Sequence, residues 1–534
     1  MGRDVTNWQD RIKQGLAGGP VNRVGHDDDH PTDEQARNHP TKSHEWAKAR
    51  QIEREKLQKY GVYTIVKPQD IPEGLHPVDT KWVYDVKKDS TGNITRYRAR
   101  KVGRGFTQEY GLNYHETFSQ MARSESWRVL LTLAIHHEWM VMQWDVKAAY
   151  LQANLRHEIY VKDLTESGET EYWKLHKALY GLKQAGHEWY NRMREILTTT
   201  AGLTQCIGDP GCFKGPGIIV STHVDDMAGY GNPIALRAFE KAVETKVELE
   251  KLGRPTKLLG MELTWTEERN AVKLTQKDSI EKLVKEHNIT MPRHSLPVNL
   301  EGYDAPTDNE TLPTEMITKY QSLIGSLLYI NRMTRPDISV HVNLLGRRTS
   351  RPGIHNMRTA LQVGQYLAST KDEGLTITKK SEDQIVLYAD ASYGGENSRS
   401  QSGSLVTLYG IPVIWNSRRQ DVVSMSITEA EYIACSETAK DSQWIAQFLK
   451  ELRMEEKTPT MFTDNEAALK LTKTQTFHRR TRHIEHRFHY IRELVDQKAI
   501  RIAGIKGKNN PADPLTKLLP MSSIGRWKTE ISIG

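Results

Sequence analysis

Apolar and polar positions change their spacing several times along the chain, and each change marks a different kind of element. Apolar residues at helical spacing in SHEWAKARQIEREKLQKYG predict a helix that ends near Gly61. KWVYDVKKD and ITRYRARKVGRGF have the pattern of strands, and the turn residues STGN between them predict a basic hairpin. Mixed elements continue to about Trp265, and residues 266–380 are mainly helical in pattern.

The pattern changes again after Glu382. Three short segments, IVLYAD, SGSLVTLYG and IPVIWNS, have the composition of strands, and a long helical stretch, another strand and another helix follow them. This order predicts a separate mixed α/β domain. The first 43 residues are instead polar and rich in Gly, Asp, His and Pro, so we expect them to be disordered.

Composition excludes several classes of protein. The chain has 534 residues, a net charge of +7 and only three cysteines, none of them in a CxxC pair. A disulfide framework and a cysteine zinc site are therefore not expected. No apolar run reaches the roughly 18 residues of a membrane span, and MGRDVTNWQD lacks the apolar core of a signal peptide. We expect an intracellular protein without a membrane partner, and the basic charge favours a polyanion such as nucleic acid.

Two apolar, strand-like runs end in carboxylates. IIVSTHVDDMAGYG leads into Asp225 and Asp226, and WMVMQWDVKAAYL contains Asp145. If these strands are neighbours, the three carboxylates meet and can hold two divalent ions about 4 Å apart, the geometry of in-line phosphoryl transfer. Asp is also common in solvated hairpin turns, and that alternative stays open on spacing alone.

The C-terminal domain carries acids of its own. Asp390 ends IVLYAD, Asp464 ends TMFTD, and Asp513 follows the last strand in NNPADPLTK. The capping-box spacing in SMSITE predicts that a helix begins at about Ser426, which puts Glu431 in its first or second turn. Together these elements provide four acids, which a four-carboxylate, two-metal nuclease needs as ligands. Four unrelated surface acids are the alternative.

Ordered blocks of sequence now point to one family. QWDVKAAYL, KALYGLKQAGHEWY, HVDDM and LLGMEL, preceded by KWVYDVKKDSTGNITRYRARKVGRGFTQEYGLNYHETF, resemble the reverse transcriptase of copia-type LTR retrotransposons. YADASYGG, SGSLVTLYGIPVIWNSRRQ, ITEAEYIA, FTDNEAA and HRRTRHIEHRFHYIRE resemble the ribonuclease H domain of the same elements. The match covers nearly everything from Ser43 to Leu518.

The resemblance implies an α+β right-handed polymerase fold of fingers, palm and thumb. A helical connection and an α/β ribonuclease H-like domain with a mixed sheet would follow it. The expected divisions are a disordered segment (1–43), fingers and palm (44–265), thumb and connection (266–381), the ribonuclease H-like domain (382–520) and a C-terminal tail (521–534).

For the polymerase, the resemblance makes Asp145, Asp225 and Asp226 the catalytic metal carboxylates. Tyr150 corresponds to an aromatic steric gate that excludes the 2′-hydroxyl of ribonucleotides, unless it is simply a core aromatic. The remaining nucleotide-binding expectations are that Gln184 contacts the incoming nucleotide or template, and that Arg98 and Arg100 clamp a triphosphate with charge-assisted bonds. A solvated basic strand face is the alternative for the two arginines.

For the nuclease, Asp390, Glu431, Asp464 and Asp513 match the family's catalytic, metal-binding acids. Contacts to the primer or to nucleic acid are expected from His223, Arg480, Arg482, His483 and Arg487. The last four lie in HRRTRHIEHRFHYIRE, which we interpret as a basic helix facing the hybrid backbone. A plain solvated helix is the alternative, and zinc is disfavoured because no cysteine or second histidine pair completes a site.

The sequence departs from the family pattern in three places. His223 stands where the family usually has Tyr or Phe, and Gly186–His187 where Pro–Arg is common. ETFSQMAR departs from the usual Pro–Val–Val after the Phe. The loop GIKGKNN before Asp513 lacks the histidine of many cellular relatives, but copia-type domains commonly lack it too. None of these changes removes a metal ligand. No zinc knuckle, aspartic protease motif or integrase zinc region occurs, so the chain resembles the C-terminal part of a polyprotein.

The expected function is therefore an RNA-directed DNA polymerase with a ribonuclease H domain, using two Mg²⁺ or Mn²⁺ ions at each site. Its partners would be an RNA template, a DNA primer strand, an RNA–DNA hybrid, dNTPs and a priming tRNA. The family acts in cytoplasmic virus-like particles, and the DNA later enters the nucleus. The alternatives are a decayed or domesticated relative that binds nucleic acid without polymerising, and a DNA-templated polymerase. The oligomeric state does not follow from the sequence.

Overall fold

A computed structural model of the chain describes residues 29–88, 93–395, 398–454, 457–473 and 485–534. The chain forms two compact units. The first comprises Met1–Phe118 and Tyr150–Trp189, and the second comprises Ser119–Ala149 and Tyr190–Gly534. None of the helices in the described ranges is long and apolar enough to cross a membrane.

The α-helices of the described residues, in chain order, are α1 (Asp33–Arg37), α2 (Ser43–Lys59), α3 (Ser124–His136), α4 (Ala185–Glu195), α5 (Pro233–Glu244), α6 (Lys277–Glu286), α7 (Thr314–Met333), α8 (Ser339–Gly346), α9 (Ile354–Ser369), α10 (Ile427–Glu451), α11 (Glu466–Lys473), α12 (Glu485–Asp496) and α13 (Met521–Glu530). The strands are β1 (Tyr63–Val66), β2 (Val78–Lys88), β3 (Ile94–Gly103), β4 (Met140–Val146), β5 (Asn154–Leu164), β6 (Thr170–Lys177), β7 (Thr204–Gln205), β8 (Cys212–Gly215), β9 (Ile218–His223), β10 (Asp226–Gly231), β11 (Leu249–Gly253), β12 (Lys257–Leu258), β13 (Met261–Trp265), β14 (Ala271–Thr275), β15 (Leu375–Thr378), β16 (Ile385–Ser392), β17 (Gln401–Leu408), β18 (Ile411–Arg419), β19 (Thr460–Thr463) and β20 (Arg501–Gly504).

The first unit is built on a five-stranded sheet in the order β1-β6-β5-β2-β3. β2 and β3 pair antiparallel from Thr80 opposite Gly103 to Lys88 opposite Ile94, which confirms the predicted hairpin. Most of its STGN turn lies outside the described residues. α2 buries Trp46, Ala49 and Leu57 along one stripe, as its helical spacing predicts.

The predicted end of α2 is confirmed by its backbone geometry. Gly61 has a φ of +61°, the left-handed conformation that favours glycine. Its N–H donates to the Gln58 carbonyl over 2.9 Å, and Val62 N–H donates to the Leu57 carbonyl over 3.0 Å. This Schellman arrangement satisfies carbonyl groups that the helix leaves without intrahelical partners.

The expectation of disorder across residues 1–43 is wrong for residues 29–43. Within that stretch α1 starts with a capping box between Thr32 and Gln35. Ala36 is fully buried and belongs to a small apolar cluster with Trp46 and Tyr84. The Tyr84 hydroxyl also donates to Asp33 over 2.5 Å. One buried alanine and these polar contacts therefore order a segment whose composition is otherwise polar, while residues 1–28 lie outside the described range.

The described part of the second unit contains three sheets. A six-stranded sheet has the order β11-β4-β10-β9-β8-β7, and a four-stranded sheet has the order β12-β13-β14-β15. The helical pattern expected over residues 266–380 is confirmed by α6 to α9, although the same stretch also supplies β14 and β15. These helices share an apolar core that includes Leu283, Leu323, Leu327 and Leu367.

The C-terminal sheet has the order β18-β17-β16-β19-β20. β16, β17 and β18 are antiparallel, whereas β19 runs parallel to both β16 and β20, so the sheet is mixed as expected. α10 begins where the capping box predicts, because the Ser426 hydroxyl accepts the Glu429 N–H over 3.2 Å. Glu431 is consequently the fifth residue of α10 and lies in its second turn.

The chain returns to the four-stranded sheet after the C-terminal sheet is complete. Gly374 and Gly534 exchange two backbone hydrogen bonds of 3.0 Å, and Ile533 bridges Leu375 of β15. In α13, Lys528 forms an ion pair with Glu373. The segment expected to be a tail is therefore packed against the elements that precede β16.

A buried arginine joins three elements of the second unit. Arg128 of α3 is 1% exposed, and its Nε donates to the Val413 carbonyl of β18 over 2.9 Å. Its Nη1 donates to the carbonyls of Arg332 and Met333, at the C-terminal end of α7, over 2.8 and 3.2 Å. The guanidinium also lies 4.1 Å from the ring centroid of Trp415. Arg128 therefore caps α7 while it holds the C-terminal sheet.

We expect Arg128→Met to lower the free energy of unfolding by about 2–3 kcal/mol, because three buried carbonyls lose a charged donor. Urea unfolding followed by tryptophan fluorescence measures this change. Arg332→Met is the matched control, since Arg128 uses only the backbone carbonyl of Arg332 and that side chain is largely exposed. Equal stability of the two variants would contradict the assignment.

Candidate active sites

Strand register aligns four polar side chains across the six-stranded sheet. Asp226 of β10 is directly opposite Asp145 of β4 on one side and His223 of β9 on the other. Glu250 of β11 is opposite Asp145 on its other side. Directly opposed residues point to the same face of a sheet. Glu250, Asp145, Asp226 and His223 therefore form one row, with Asp225 in the adjoining turn.

The turn that presents Asp225 is strained. Val224 has a φ of +57°, a conformation that a β-branched residue adopts at a cost of roughly 1–3 kcal/mol. The Asp225 carbonyl accepts the Val146 N–H over 2.9 Å, which ties the turn to β4. Asp225 is consequently exposed at the end of the hairpin, whereas Asp145 and Asp226 are half-buried.

The electrostatics of this row favour a cation. Burial raises the pKa of Asp226, and the neighbouring charge of Asp225 raises it further, while a 3.4 Å hydrogen bond from Gln143 opposes the shift. Burial lowers the pKa of His223, so its ring tends to stay neutral beside the acids. The carboxylates are thus close enough to repel each other and have no protonated histidine to compensate.

The predicted triphosphate clamp lies in the first unit. Arg98 and Arg100 are two residues apart on β3, and neither forms an ion pair with any residue in the described ranges. Burial lowers the pKa of Arg98, and the charge of Arg100 lowers it further. Arg100 lies 5.7 Å from the Tyr180 ring centroid, and Tyr150 meets the same ring edge-on at 5.7 Å. Three of the four predicted nucleotide-binding residues are thus near one another.

Gln184, the fourth of these residues, is enclosed by protein. Its side chain is 2% exposed. Its amide nitrogen donates to the Asn113 carbonyl over 2.9 Å, and its amide oxygen accepts from Gln108 over 3.0 Å. Both ends of the amide are therefore occupied within the first unit.

Three acids meet on the C-terminal sheet. Ligand atoms of Asp390, Glu431 and Asp464 all lie within 4.8 Å of one another. β16, α10 and the end of β19 supply them, as the sequence pattern predicts. In the ranges that the structure describes, no other trio of His, Cys, Asp or Glu is this close, and Asp145, Asp225 and Asp226 are aligned without reaching that spacing.

Burial and mutual repulsion shift the titration of this trio. Burial raises the pKa of Glu431 to about 8, and the charges of Asp390 and Asp464 contribute. Burial also raises the pKa of Asp390 to about 6. One carboxylate oxygen of Glu431 is buried and has no hydrogen-bond partner among the described residues. A divalent cation fits such an oxygen because it supplies the missing positive partner.

Two residues next to Asp513 were missed by the sequence reasoning. Lys517 forms an ion pair with Asp513 and lies 3.9 Å from Asp390, and Thr516 donates its hydroxyl hydrogen to Asp390. Although burial lowers the pKa of Lys517, Asp390 and Asp513 outweigh this effect and raise it. Asp513 thus joins the trio through a lysine. The only signal was the TK pair that follows Asp513 in NNPADPLTK.

Comparison with known proteins places both sites in one family. The family model described as reverse transcriptase (RNA-dependent DNA polymerase) matches residues 60–298. The Pol polyprotein of transposon TNT 1-94 from Nicotiana tabacum is 34% identical over 502 residues, which cover 90% of this chain and 37% of that protein. The Pol polyprotein of transposon RE1 from Arabidopsis thaliana is 30% identical over 86% of this chain and 32% of its own length.

The chain belongs to the copia-type Pol family. It spans only about a third of the length of the two plant relatives. The Saccharomyces cerevisiae Ty1-ER2 Gag-Pol polyprotein is more distant, at 25% identity over 84% of the chain and 26% of that protein.

One solved structure bears on the fold of this copia-type Pol chain. A foamy viral protease-reverse transcriptase, solved in complex with double-stranded DNA, aligns with a TM-score of 0.50 at 12% identity. The alignment covers 86% of the chain and 69% of the viral protein. The fold is accordingly the expected polymerase fold followed by a ribonuclease H-like domain.

The predicted basic helix of the copia-type Pol chain falls partly outside the described residues. Arg480, Arg482 and His483 lie outside the described residues, and only the backbone of Arg487 is described, in α12. Their contact with a hybrid stays a prediction.

We expect Glu431→Gln to stabilise the metal-free protein at pH 8. The pKa of Glu431 is about 8 in the folded protein against an ordinary 4.5, so the folded state holds the extra proton between these values. The stability that this group contributes to folding therefore falls as pH rises through that window, by about 1.4 kcal/mol per pH unit in the wild type. Gln cannot ionise and removes the loss.

Thermal unfolding in EDTA from pH 5 to pH 9 measures this difference. Glu493→Gln, an exposed acid of α12, is the matched control and should follow the wild type. A wild-type stability that does not fall across the window would contradict the shifted pKa of Glu431.

Proposed function

We propose that this chain is an RNA-directed DNA polymerase that copies retrotransposon RNA into DNA by two-metal phosphoryl transfer. We further propose that its ribonuclease H-like domain degrades the RNA strand of the RNA–DNA hybrid. The observation that carries the polymerase proposal is the register that sets Asp145 opposite Asp226, beside Asp225, in a chain of the copia-type Pol family. Membership of this family supports RNA as the template that is copied, and the strand register supports two-metal phosphoryl transfer.

The carboxylates are suited to hold the divalent ions. Asp145, Asp225 and Asp226 would bind them at the polymerase site, and Asp390, Glu431, Asp464 and Asp513 at the nuclease site. Mg²⁺ and Mn²⁺ both prefer oxygen ligands of this kind. When bound, such ions would lower the pKa of the primer 3′-hydroxyl and neutralise charge at the reacting phosphate. The orphaned Glu431 oxygen supports this fit at the second site.

The first unit would bind the incoming dNTP. Arg98 and Arg100 are half-buried cations without carboxylate partners in the described ranges, and a triphosphate would supply the missing negative charge. Burial makes such bonds stronger than they would be at an open surface. Tyr150 would lie under the sugar and exclude a 2′-hydroxyl. Because both ends of the Gln184 amide are occupied, we assign it a role in holding this region rather than direct contact with nucleotide.

The partners follow from this activity. An RNA template, a DNA primer strand and their hybrid would occupy the protein, and a tRNA would prime synthesis. His223 would contact the primer end, and the basic helix with Arg480, Arg482, His483 and Arg487 would contact the hybrid backbone. We place the reaction in cytoplasmic virus-like particles, with later nuclear entry of the DNA.

His223 favours a second candidate, a family member that binds nucleic acid without polymerising. Its ring lies in the carboxylate row, where burial keeps it neutral and its Nδ1 makes no hydrogen bond within the described part of the chain. A neutral imidazole offers less stacking area to a primer end than a phenol ring does. All seven predicted acids are nevertheless present, which favours the catalytic candidate.

We expect Asp225→Asn to slow extension of a DNA primer on an RNA template by about a hundredfold or more, because it removes a charged ligand from the site that would hold the two metal ions. Extension with dNTPs and Mg²⁺ or Mn²⁺ measures it. Asp372→Asn, which changes an exposed acid that belongs to neither site, is the matched control. A wild type that binds hybrid but extends with neither metal would support the non-catalytic candidate.

We expect His223→Tyr to raise the extension rate about 2- to 10-fold, since an aromatic contact of this kind contributes about 0.5–1.5 kcal/mol. Single-nucleotide incorporation measured separately from primer affinity locates the gain. Thr222→Ser, next to His223 on the same strand, controls for disturbance of the hairpin. A rate below that of the wild type would show that histidine is not the limiting residue.

A further inference from the structure

The loop that follows β3, residues 104–118, exposes an unusual amount of aromatic surface. We call this segment the aromatic loop. Phe106, Tyr110 and Phe118 are 71%, 73% and 74% exposed. Scattered apolar residues are normal at a protein surface, but three largely exposed rings within 13 residues are a local concentration of aromatic surface of the kind that marks a binding site.

The aromatic loop is held rigidly from beneath by buried amides. Gln108 and Asn113 are 4% and 6% exposed and bond to the enclosed Gln184. Gln108 also accepts the Lys183 N–H over 2.8 Å, and Asn113 accepts the Glu109 N–H over 2.9 Å. A loop fixed in this way presents its rings at a small entropic cost on binding.

Close backbone contact adds to this rigidity. A Cβ on Gly105 would lie 2.3 Å from the Gly181 carbonyl oxygen, so only glycine allows the loop to approach that segment. The fixed backbone at Gly105 therefore helps to hold the adjacent Phe106 ring at the surface.

Cations alternate with the exposed rings. The Arg104 guanidinium lies 5.0 Å from the Phe106 ring centroid and forms no ion pair with any residue in the ranges described. Lys183 Nζ lies 4.6 Å from the Tyr114 ring centroid and 3.1 Å from its hydroxyl oxygen. The loop also carries two acids, Glu109 and Glu116, and Glu116 lies 3.0 Å from the His187 ring.

We propose that the aromatic loop is a binding platform for an unpaired strand of nucleic acid, whose bases stack on Phe106, Tyr110 and Phe118. Phosphates of that strand pair with Arg104 and Lys183. Rings that accept any base, together with cations that pair with the phosphates, are the chemistry by which proteins bind single strands without sequence preference. The identity of the strand as template rests on the proposed polymerase function; the binding itself does not.

Charge decides between this partner and a protein partner. A second copy of the chain could cover the rings, but it would have to place one of its own carboxylates against Arg104 to avoid a desolvation cost. A nucleic acid strand brings a phosphate for each base and removes that cost.

The test is fluorescence anisotropy of a labelled 20-nucleotide oligouridine with the full chain. Phe106→Ala/Tyr110→Ala should weaken binding about tenfold or more, since each stacked base contributes strongly. Ile65→Ala/Leu164→Ala, which removes exposed apolar residues of the same unit outside the loop, should bind as the wild type does. Phe106→Tyr/Tyr110→Phe keeps both rings and should restore affinity.

Further measurements separate the possible failures. Arg104→Met should reduce the salt dependence of binding by about one released counterion. Binding of a blunt RNA–DNA duplex should be unchanged in every loop variant, which excludes general unfolding. Unchanged oligouridine affinity in the double alanine variant would overturn the proposal. So would a double alanine variant whose molecular mass by light scattering changes while its oligouridine affinity does not. Because Asp225→Asn should still bind oligouridine, loss of polymerase activity and loss of the platform are distinguishable.

Discussion

Repulsion between carboxylates is the constraint on which both candidate sites depend. A half-buried or buried acid is costly when its neighbours carry the same charge, and folding alone does not remove that cost. At the six-stranded sheet the acids are aligned by antiparallel register and by a strained turn at Val224. At the C-terminal sheet they converge within 4.8 Å, and Lys517 supplies part of the missing positive charge. Both sites therefore bring mutually repelling carboxylates together, and they do so with different backbone elements.

Arg128 is a buried charge of the opposite sign in the second unit. Its guanidinium binds backbone carbonyls and an aromatic ring in addition to a 3.9 Å ion pair with Glu125, and burial lowers its pKa only to about 10, so it stays charged at neutral pH. The carbonyls at the end of α7 carry the negative end of the helix dipole. The C-terminal end of α7 thus provides counter-charge for Arg128, and Arg128 in turn joins α3 to the C-terminal sheet.

Much of this architecture could be predicted from the sequence where a local pattern decided the outcome. The acids at the ends of β4, β16 and β19, the start of α10 at Ser426 and the cap of α2 at Gly61 all have short-range signals. Glu250 had none, because its place beside Asp145 depends on which strand covers the edge of the sheet. The order of residues 29–43 was missed because it rests on Ala36 and Tyr84, which are 48 residues apart. Gln184 had a family signal, but its burial depends on Gln108 and Asn113.

The return of the chain to β15 has a consequence for how the molecule is assembled. The ribonuclease H-like domain leaves the four-stranded sheet after β15, and the chain comes back to pair Ile533 with Leu375 of the same strand. In topological terms the domain is an insertion into a host fold, with both of its ends anchored in that host. We therefore expect the two pieces left by a single backbone cut on either side to stay associated, so that a nick need not release the ribonuclease H-like domain from the rest of the chain.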